Sequence, residues 1–297
     1  MASAIQHSRR RGEGGAPSKP PQRTGGRGGV VRSAALRATA RDLPGDPGLE
    51  PTPLASPRGP YVGTPPPARA PRRWAEDPAL DTLLGELARG FGPQRWWPAA
   101  TPFEVIAGAI LTQNTAWKNV ERALANLRAR EWVTPARLLS APEEELRAAL
   151  VPSGYFNSKA RKLRAISEWY LAAGGLAALR ERPLAPLRAD LLGVWGVGPE
   201  TADSILCYAA GRRTAVVDAY ARRILSRHGL ARADAPYEEL RAWLQARLAR
   251  SQWVYEESHA LFVRAGYENC KPSPACEGCP ATTPEPPPNR ERRAARR

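Results

Sequence analysis

Two short segments of this chain contain residues that could act together in a reaction: the first has a glycine turn, and the second has a single acid. Residues 196–198 are Gly-Val-Gly, and Pro199 then fits the first position of a following helix. Glycines allow the backbone to approach a ligand closely, and the free N–H groups of a helix N-terminus favour an anion. Asp218 stands twenty residues after Gly198, at the start of another helical run. A phosphate-binding turn followed by an acid is typical of an enzyme that holds a nucleic-acid strand and acts on one nucleotide.

Both features also have ordinary structural interpretations. A Gly-x-Gly sequence between two helices is often no more than a tight turn. An aspartate that opens a helix often caps the free N–H groups of that helix. The surrounding segments therefore decide between a functional site and a scaffold.

The elements that position these residues are predicted to be helices. Apolar residues recur at i, i+3, i+4 and i+7 over most of residues 74–281, as amphipathic helices require. Thr101 and Pro102 match an N-cap and a first-turn proline. No alternating apolar run is bounded by hairpin signals, so the sequence predicts an all-α fold of roughly ten helices. Their expected positions are about 80–91, 103–111, 116–130, 142–150, 157–173, 186–193, 199–210, 219–228, 236–250 and 252–265.

The two ends of the chain differ from this body in composition. Residues 1–73 are largely Arg, Gly, Pro and Ala, and residues 282–297 largely Pro and Arg, so we expect both tails to be disordered. The net charge is +15; residues 1–73 have 13 basic and four acidic residues, and residues 282–297 have five and two. Such tails raise salt-sensitive affinity for a polyanion, but they leave only +3 for the body. Charge alone therefore does not locate a binding site.

The cellular location is predicted from the targeting and membrane-spanning segments for which the sequence gives a signal. Residues 1–73 lack the apolar core of a secretory signal. They are Arg-rich and acid-poor like an organellar transit peptide, but we favour a basic arm or a start codon placed too far upstream. No apolar run is long enough to span a membrane, and the four cysteines suit a reducing cytosol. We expect a soluble monomer in the cytoplasm, associated with the nucleoid in a bacterium, or in the nucleus of a eukaryote.

Several segments together resemble the endonuclease III superfamily of DNA glycosylases. Residues 187–210 are similar to the helix-hairpin-helix of that family, and Val216-Val217-Asp218-Ala219-Tyr220 with Arg223 to its catalytic aspartate segment. Residues 110–115, Ile-Leu-Thr-Gln-Asn-Thr, resemble the turn that carries its wedge residue. Residues 154–160, Gly-Tyr-Phe-Asn-Ser-Lys-Ala, resemble its Gly-(Tyr/Phe)-x-Asn-x-Lys-Ala element. The resemblance covers about residues 78–280 and implies two helical subdomains, with a cleft between them, within a domain at 74–281.

The resemblance implies a role for each residue of these segments. The enzyme would swing a damaged base out of double-stranded DNA, and Asp218, kept ionised, would stabilise the oxocarbenium-like transition state and orient or deprotonate water. Gln113 and Asn114 would fill the gap left in the duplex, although Asn114 could instead cap the end of its helix. The residues expected to contact DNA are Gly196, Val197, Gly198, Thr201, Gln113, Asn114 and Lys159.

One position departs from the pattern of the bifunctional members. They carry a lysine nucleophile at the second residue after the last glycine of the hairpin, where this chain has Glu200. Lys159 and Lys162 belong to a different element of the sequence. Without an amine at that position, the Schiff-base route to strand cleavage has no obvious agent. We therefore predict hydrolysis of the glycosidic bond without strand cleavage; a bifunctional glycosylase and AP lyase is the alternative.

Three tryptophans are candidates for the base pocket. Indole rings stack on any base and bind a cationic, N-alkylated purine best. Trp96, Trp97 and Trp117 resemble the aromatic residues that line the pocket in the 3-methyladenine DNA glycosylase branch. The sequence leaves open a mismatch-specific adenine or thymine glycosylase and, in a different class, a non-catalytic module that binds DNA damage. The remaining candidates for simple core packing include Trp132, Trp169 and Trp253.

The cysteines resemble an incomplete cluster site. Cys270, Cys276 and Cys279 are spaced like three ligands of the [4Fe–4S] cluster of this family, but Glu285 stands near the expected fourth position. Cys207 lies inside a predicted helix, where a buried apolar role is the simpler interpretation. We expect a lost or degenerate cluster and no required cofactor. The three histidines are scattered, and His259 is interpreted as part of the core.

Overall fold

The computed structural model describes residues 63–281. Twelve α-helices fill this range, and an isolated antiparallel β-bridge pairs Ala75 with Leu248. The all-α prediction is confirmed. The helices are α1 (Pro78–Phe91), α2 (Pro102–Leu111), α3 (Trp117–Ala129), α4 (Pro135–Ser140), α5 (Glu143–Leu150), α6 (Phe156–Ala172), α7 (Gly175–Glu181), α8 (Leu184–Leu192), α9 (Pro199–Ser204), α10 (Ala219–Arg227), α11 (Tyr237–Arg247) and α12 (Gln252–Glu268).

Short elements account for the differences from the predicted helices. Two helices without a sequence prediction, α4 and α7, have six and seven residues, too few to show an apolar period. A single 3₁₀ turn at Val151–Ser153 follows α5. The predicted helix at 199–210 divides into α9 and a π-helical segment, Ile205–Ala209, which follows α9 directly in the chain.

The helices form two packed groups. In the first, α3 packs on α2 and α5, and α6 packs on α2, α4 and α5. In the second, α1 and α10 pack on α12. The π-helical segment contacts both α2 and α12, so it lies where the two groups meet. Residues Phe103 to Leu111 of α2 are all buried, which makes α2 the centre of the core.

The folded body begins earlier than the sequence predicts. Thr64 donates from its backbone N–H and from its hydroxyl to the carboxylate of Glu256 in α12, at 2.8 and 3.0 Å. Trp74 then packs on Trp253 with ring centroids 5.1 Å apart. Thr64, nine residues before the predicted boundary at residue 73, is therefore tied to the helical body. The predictions for residues 1–62 and 282–297 lie outside the described residues.

In residues 63–281 the helices are too short or too polar to cross a lipid bilayer.

Candidate active site and DNA interface

The hairpin turn between α8 and α9 is the feature on which the site is built. Gly196 has φ +84°, a conformation that side chains rarely adopt, and a Cβ at this position would lie 2.4 Å from Cγ of Lys162. Gly198 is the extended N-cap residue of α9, and a Cβ there would meet nothing within 4 Å. No side chain caps α9, so its first N–H groups are left for an outside acceptor. The turn therefore has the open backbone that a phosphate requires.

Gln113 ties the end of α2 to this turn. Its Nε2 donates to the carbonyl of Gly196 at 3.1 Å and to the hydroxyl of Thr201 at 3.0 Å. Its Oε1 accepts from the ammonium of Lys162 at 2.5 Å. The structure thus brings together Gln113, Gly196 and Thr201 as the sequence suggested. It also shows that the amide of Gln113 is engaged by the protein, and that Thr201 faces inward beside the buried Val197.

Asn114 follows as an exposed residue. Its φ is +54°, in the left-handed region, and its side chain forms no hydrogen bond within residues 63–281. It does not cap the helix end, because the C-cap residue of α2 is Thr112. Of the two residues expected to fill a gap in the duplex, Asn114 is the one with an uncommitted side chain.

Lys159 does not lie on a DNA-facing surface. It is 1% exposed, and its ammonium donates to the carbonyls of Leu111 at 2.8 Å and Ser153 at 2.6 Å. Burial, together with the charge of Lys162, lowers its pKa to about 8. In this structure Lys159 therefore presents no accessible donor to a DNA strand. Its role is to join the C-terminal end of α2 to the 3₁₀ turn.

A buried carboxylate, Asp203, holds the hairpin in place. Arg188 of α8 donates to both of its oxygens at 2.8 Å. The hydroxyls of Thr214 and Tyr237 donate to it at 2.9 Å each. Asp203 is fully buried, and hydrogen bonds from three directions compensate for the loss of water. This network joins α8, α9 and α11 around the turn.

Asp218 is the N-cap residue of α10, as the structural interpretation of the sequence anticipated. Its Oδ1 accepts from the backbone N–H of Ala221 at 2.7 Å, which leaves Oδ2 for other partners. The side chain is 12% exposed. Burial raises the pKa of Asp218, against the opposing effects of His259, the backbone N–H groups of α10 and Arg223. The carboxylate is therefore held rigidly and largely out of water.

A histidine from α12 faces this carboxylate. Nε2 of His259 lies 3.8 Å from Oδ2 of Asp218, and its Nδ1 lies 2.7 Å from the hydroxyl of Tyr208. That hydroxyl also donates to the carbonyl of Glu256 at 2.8 Å. Burial lowers the pKa of His259, whereas Asp218 raises it. His259 was interpreted only as a core residue, and its contact with Asp218 depends on residues 41 positions apart.

A cavity of about 510 Å³ opens beside Asp218. Glu200, at the start of α9, contributes a second carboxylate to its wall and keeps solvent-accessible surface at the rim. Partial withdrawal from water in the wall, reinforced by the charge of Asp218, raises the pKa of Glu200 to about 7. No lysine lines the cavity in the described part of the chain. The lining residues are Glu200, Val217, Asp218, Ala219, Arg222, Arg223, Ser226, Arg227, Ala233 and Tyr237.

The three candidate tryptophans form one cluster, outside the lining of this cavity. The ring centroids of Trp96 and Trp117 are 4.7 Å apart, and those of Trp96 and Trp97 are 5.3 Å apart. Trp97 is 3% exposed and packs on Gly108 of α2 and on Tyr208, 5.5 Å between ring centroids. It belongs to the core, so only Trp96 and Trp117 keep accessible ring surface. Tyr208 therefore contacts both the tryptophan cluster and the histidine beside Asp218.

The cysteine loop lies at the end of α12. Arg227 donates to Sγ of Cys270 at 3.2 Å, and burial, with the neighbouring Cys270 and Cys276, raises the pKa of Cys279. In residues 63–281 no three His, Cys, Asp or Glu side chains are arranged to hold a metal ion, these thiols included. As placed, they do not form a cluster ligand set. Cys207 is fully buried in the π-helical segment.

Lys162 contacts the hairpin turn, a role that the sequence did not predict. Its stem packs on Gly196 and its ammonium binds Gln113, so α6 reaches the hairpin turn. Residues three apart are separated by about 60° around a helix, so Lys159 and Lys162 lie on neighbouring parts of one face of α6. Their spacing therefore does not reveal which of the two lysines is buried and which reaches the hairpin.

Comparisons with known proteins agree with this geometry. The profile of the HhH-GPD family, described as a superfamily of base excision DNA repair proteins, matches residues 107–250. A putative DNA repair glycosylase of Methanocaldococcus jannaschii is 40% identical over 193 residues, which cover 64% of this chain and 88% of that protein. An endonuclease III of Thermotoga maritima is 29% identical over 201 residues, 67% of this chain and 89% of that protein.

Two solved structures share the fold. A 3-methyladenine DNA glycosylase of H. pylori, bound to 1,N6-ethenoadenine, superposes with a TM-score of 0.54 at 27% identity, covering 63% of this chain and 94% of that one. A trapped covalent complex of endonuclease III with DNA superposes with a TM-score of 0.57 at 25% identity, covering 67% and 90%.

Proposed function

Because the chain belongs to the HhH-GPD superfamily of base excision DNA repair proteins, we propose that it hydrolyses the N-glycosidic bond of an N-alkylated purine in double-stranded DNA and leaves the strand intact. The family and the relatives make it a base excision repair DNA glycosylase. The lesion class and the absence of strand cleavage are the proposal.

The pair of carboxylates beside the hairpin is the observation that carries it. Asp218 and Glu200 line one cavity, and the charge of Asp218 acts on Glu200. A cationic sugar that develops between them is stabilised by negative charge. The same wall holds no amine that could form a Schiff base with the sugar. This arrangement favours hydrolysis over elimination.

The reaction can be followed by its bonds. The bond between the sugar C1′ and the base nitrogen breaks, and its electron pair leaves with the base. Asp218, held by the N–H of Ala221, stabilises the positive charge on the sugar. A water oxygen then bonds to C1′ and passes its proton to Glu200, whose pKa of about 7 suits a base at neutral pH. The products are the free base and an intact abasic strand.

The tryptophan cluster supports an N-alkylated purine as the substrate. Alkylation at a ring nitrogen makes the purine cationic, and an indole face attracts a cation. Trp96 and Trp117 offer accessible rings, backed by the buried Trp97. The H. pylori structure is that of a 3-methyladenine DNA glycosylase and holds a modified adenine. Alkylated purines are therefore the lesions to test before mismatched adenine or thymine.

The test is base release from a methylated duplex by the wild type and by Asp218→Asn. The wild type should release 3-methyladenine, and the variant should be slower by about 10²-fold or more, since it loses the charge facing the sugar. Both should bind an abasic-site analogue. Equal release by the two proteins would refute the catalytic role of Asp218, whereas release by neither would refute the proposed reaction and leave a non-catalytic module that binds DNA damage.

Strand cleavage is tested separately by borohydride trapping. The wild type should give no covalent complex with an abasic duplex. One observation favours a second candidate, an AP lyase: Lys162 lies against Gly196, within the hairpin region. Trapping that Lys162→Ala abolishes would identify this amine as the nucleophile and establish bifunctional activity.

Three further properties of the chain are part of this proposal. We infer that it acts as a monomer in the compartment that holds the DNA, cytoplasm or nucleus. We also infer that it needs no [4Fe–4S] cluster, because Glu285 stands near the position at which a fourth thiolate ligand is expected. Freshly isolated protein should then lack the thiolate-to-iron absorbance that gives cluster proteins a brown colour.

A further inference from the structure

An exposed tryptophan stands directly before the hairpin turn. Trp195 is 44% exposed, whereas most large apolar side chains in residues 63–281 are buried. The guanidinium of Arg161, in α6, lies 4.0 Å from the centre of its ring. The next residue in the chain, Gly196, packs on the stem of Lys162. A stacked pair from two elements therefore adjoins the turn that offers its backbone to a phosphate.

The guanidinium in this pair is not neutralised by the protein. In the described part of the chain, Arg161 forms neither a hydrogen bond nor an ion pair, and the indole is its recorded contact. Arg164 of the same helix donates to the carbonyls of Leu139 and Ala141. Stacking orients a guanidinium plane but uses none of its N–H donors, so they remain available to an anion.

We propose that Arg161 and Trp195 form a contact for the DNA backbone that extends the hairpin interface onto α6. Arg161 donates to a phosphate oxygen, and the indole holds the guanidinium plane and packs on the adjacent sugar. The occupant is a phosphodiester strand, because the pair supplies positive charge and fork-shaped donors beside a phosphate-binding turn. The inference rests on the proposed function only in taking DNA as the ligand.

The chain offers a matched control for this pair. Arg130 lies over Trp132, at 5.8 Å from the ring centre, at the C-terminal end of α3. It is likewise an exposed arginine stacked on an indole. Arg130→Ala removes the same charge and the same type of stacking contact without changing the hairpin, and in addition one hydrogen bond from Arg130 to the carbonyl of Asn126 at 3.1 Å. A difference in DNA binding between the two variants therefore reports the position of the lost arginine and not the lost net charge.

The experiment measures binding of the full chain to an undamaged duplex over a series of salt concentrations. Arg161→Ala should bind roughly threefold to tenfold more weakly at low salt, and the slope of log K against log salt should fall by about 0.9, as for one lost phosphate contact. Arg130→Ala should keep the slope and affinity of the wild type. Equal affinities and slopes for the two variants would overturn the proposal.

A double-variant cycle tests the role of the indole. Trp195→Ala should weaken binding by itself, and Arg161→Ala should then cost less in that background than in the wild type, because the guanidinium is no longer held in place. An unchanged cost in both backgrounds would overturn the paired contact. Thermal unfolding of each variant checks that the fold is kept. Base release from methylated DNA is measured separately, so a wrong lesion abolishes release by every variant but leaves the binding result intact.

Discussion

At the scale of single residues, the reaction depends on how the protein holds two carboxylates. Asp218 is fixed by the N–H of Ala221 and faces His259, whereas Glu200 stands at the cavity rim. Both side chains have a raised pKa, for which burial is the first cause. The rise in the pKa of Asp218 is opposed by the histidine, the N-terminal N–H groups of α10 and Arg223. For Glu200 the charge of Asp218 adds to the effect of burial, and the resulting pKa of about 7 suits a proton acceptor at neutral pH.

The pH profile of base release should show the titration of Glu200. A base acts in its ionised form, so the rate should rise as pH increases through about 7. In Glu200→Gln this rise should disappear and the rate above pH 7 should fall. Single-turnover rates between about pH 5 and pH 9 measure both. A wild-type profile that is flat across pH 7 would exclude Glu200 as the base.

The same group should affect stability in the opposite direction. A carboxyl whose folded pKa lies above its ordinary value of 4.5 binds its proton more tightly in the folded state. The stability it contributes is present below pH 4.5 and is lost as pH rises through about 7. Glu200→Gln should therefore unfold at a higher temperature than the wild type at pH 8, with a smaller difference at pH 5. An equal difference at both pH values would contradict a raised pKa.

A lysine at position 200 should introduce strand cleavage. In Glu200→Lys, an amine would face the sugar from the wall of the cavity that also holds Asp218. We expect borohydride to trap a covalent complex with an abasic duplex, in contrast to the wild type. Glu200→Arg is the matched control, since it adds the same charge without a nucleophilic amine. Trapping by both variants, or by neither, would contradict the prediction that an amine at position 200 attacks the sugar.

At the scale of elements, the hairpin is positioned by hydrogen bonds with neighbouring helices. The buried Asp203 connects α9 to Arg188 of α8 and to Tyr237 of α11, while Gln113 connects the turn to α2. These contacts, with α2, α8 and α11, restrict the conformation of the turn. A phosphate-binding backbone that is already formed loses little conformational entropy on binding.

Removal of Asp203 should destabilise the protein strongly. Asp203→Ala leaves the guanidinium of Arg188 without its buried partner, which typically costs about 3–5 kcal/mol of unfolding free energy. Asp190→Ala is the control on α8, because its pair with Arg182 is solvent-exposed and is worth about 0–1 kcal/mol. Urea unfolding of both variants measures the difference. Similar losses would show that the network does not hold the hairpin.

At the scale of the whole molecule, the N-terminal region carries positive charge and residues that contact α12. Residues 1–62 contain ten basic and four acidic residues. Thr64 contacts Glu256 of α12, and Trp74 contacts Trp253 of the same helix. Residues 1–62 therefore supply net charge for non-specific DNA affinity, and residues 63–74 include contacts that stabilise the helical body.

Two deletions distinguish these segments. Removal of residues 1–62 should weaken binding to undamaged DNA at low salt, because it removes a net charge of +6, but should leave the single-turnover rate at saturating enzyme unchanged. Removal of residues 1–73 should in addition lower the unfolding temperature, since the bonds of Thr64 to Glu256 are lost. Equal unfolding temperatures for the two deletions would place the boundary at residue 73 after all.

The sequence by itself determined the helical fold, the hairpin at residues 196–198 and Asp218 as the N-cap residue of α10. These features depend on neighbours within a few positions: the apolar period of a helix, a proline at its start, a glycine in its turn. Only the tertiary structure decided that Lys159 is buried, that Lys162 reaches the hairpin and that His259 faces Asp218. Each of these contacts joins segments far apart in the chain, and a side chain in a helix has several neighbours among which the local pattern cannot choose. The packing of α6 and α12 against the hairpin region makes that choice.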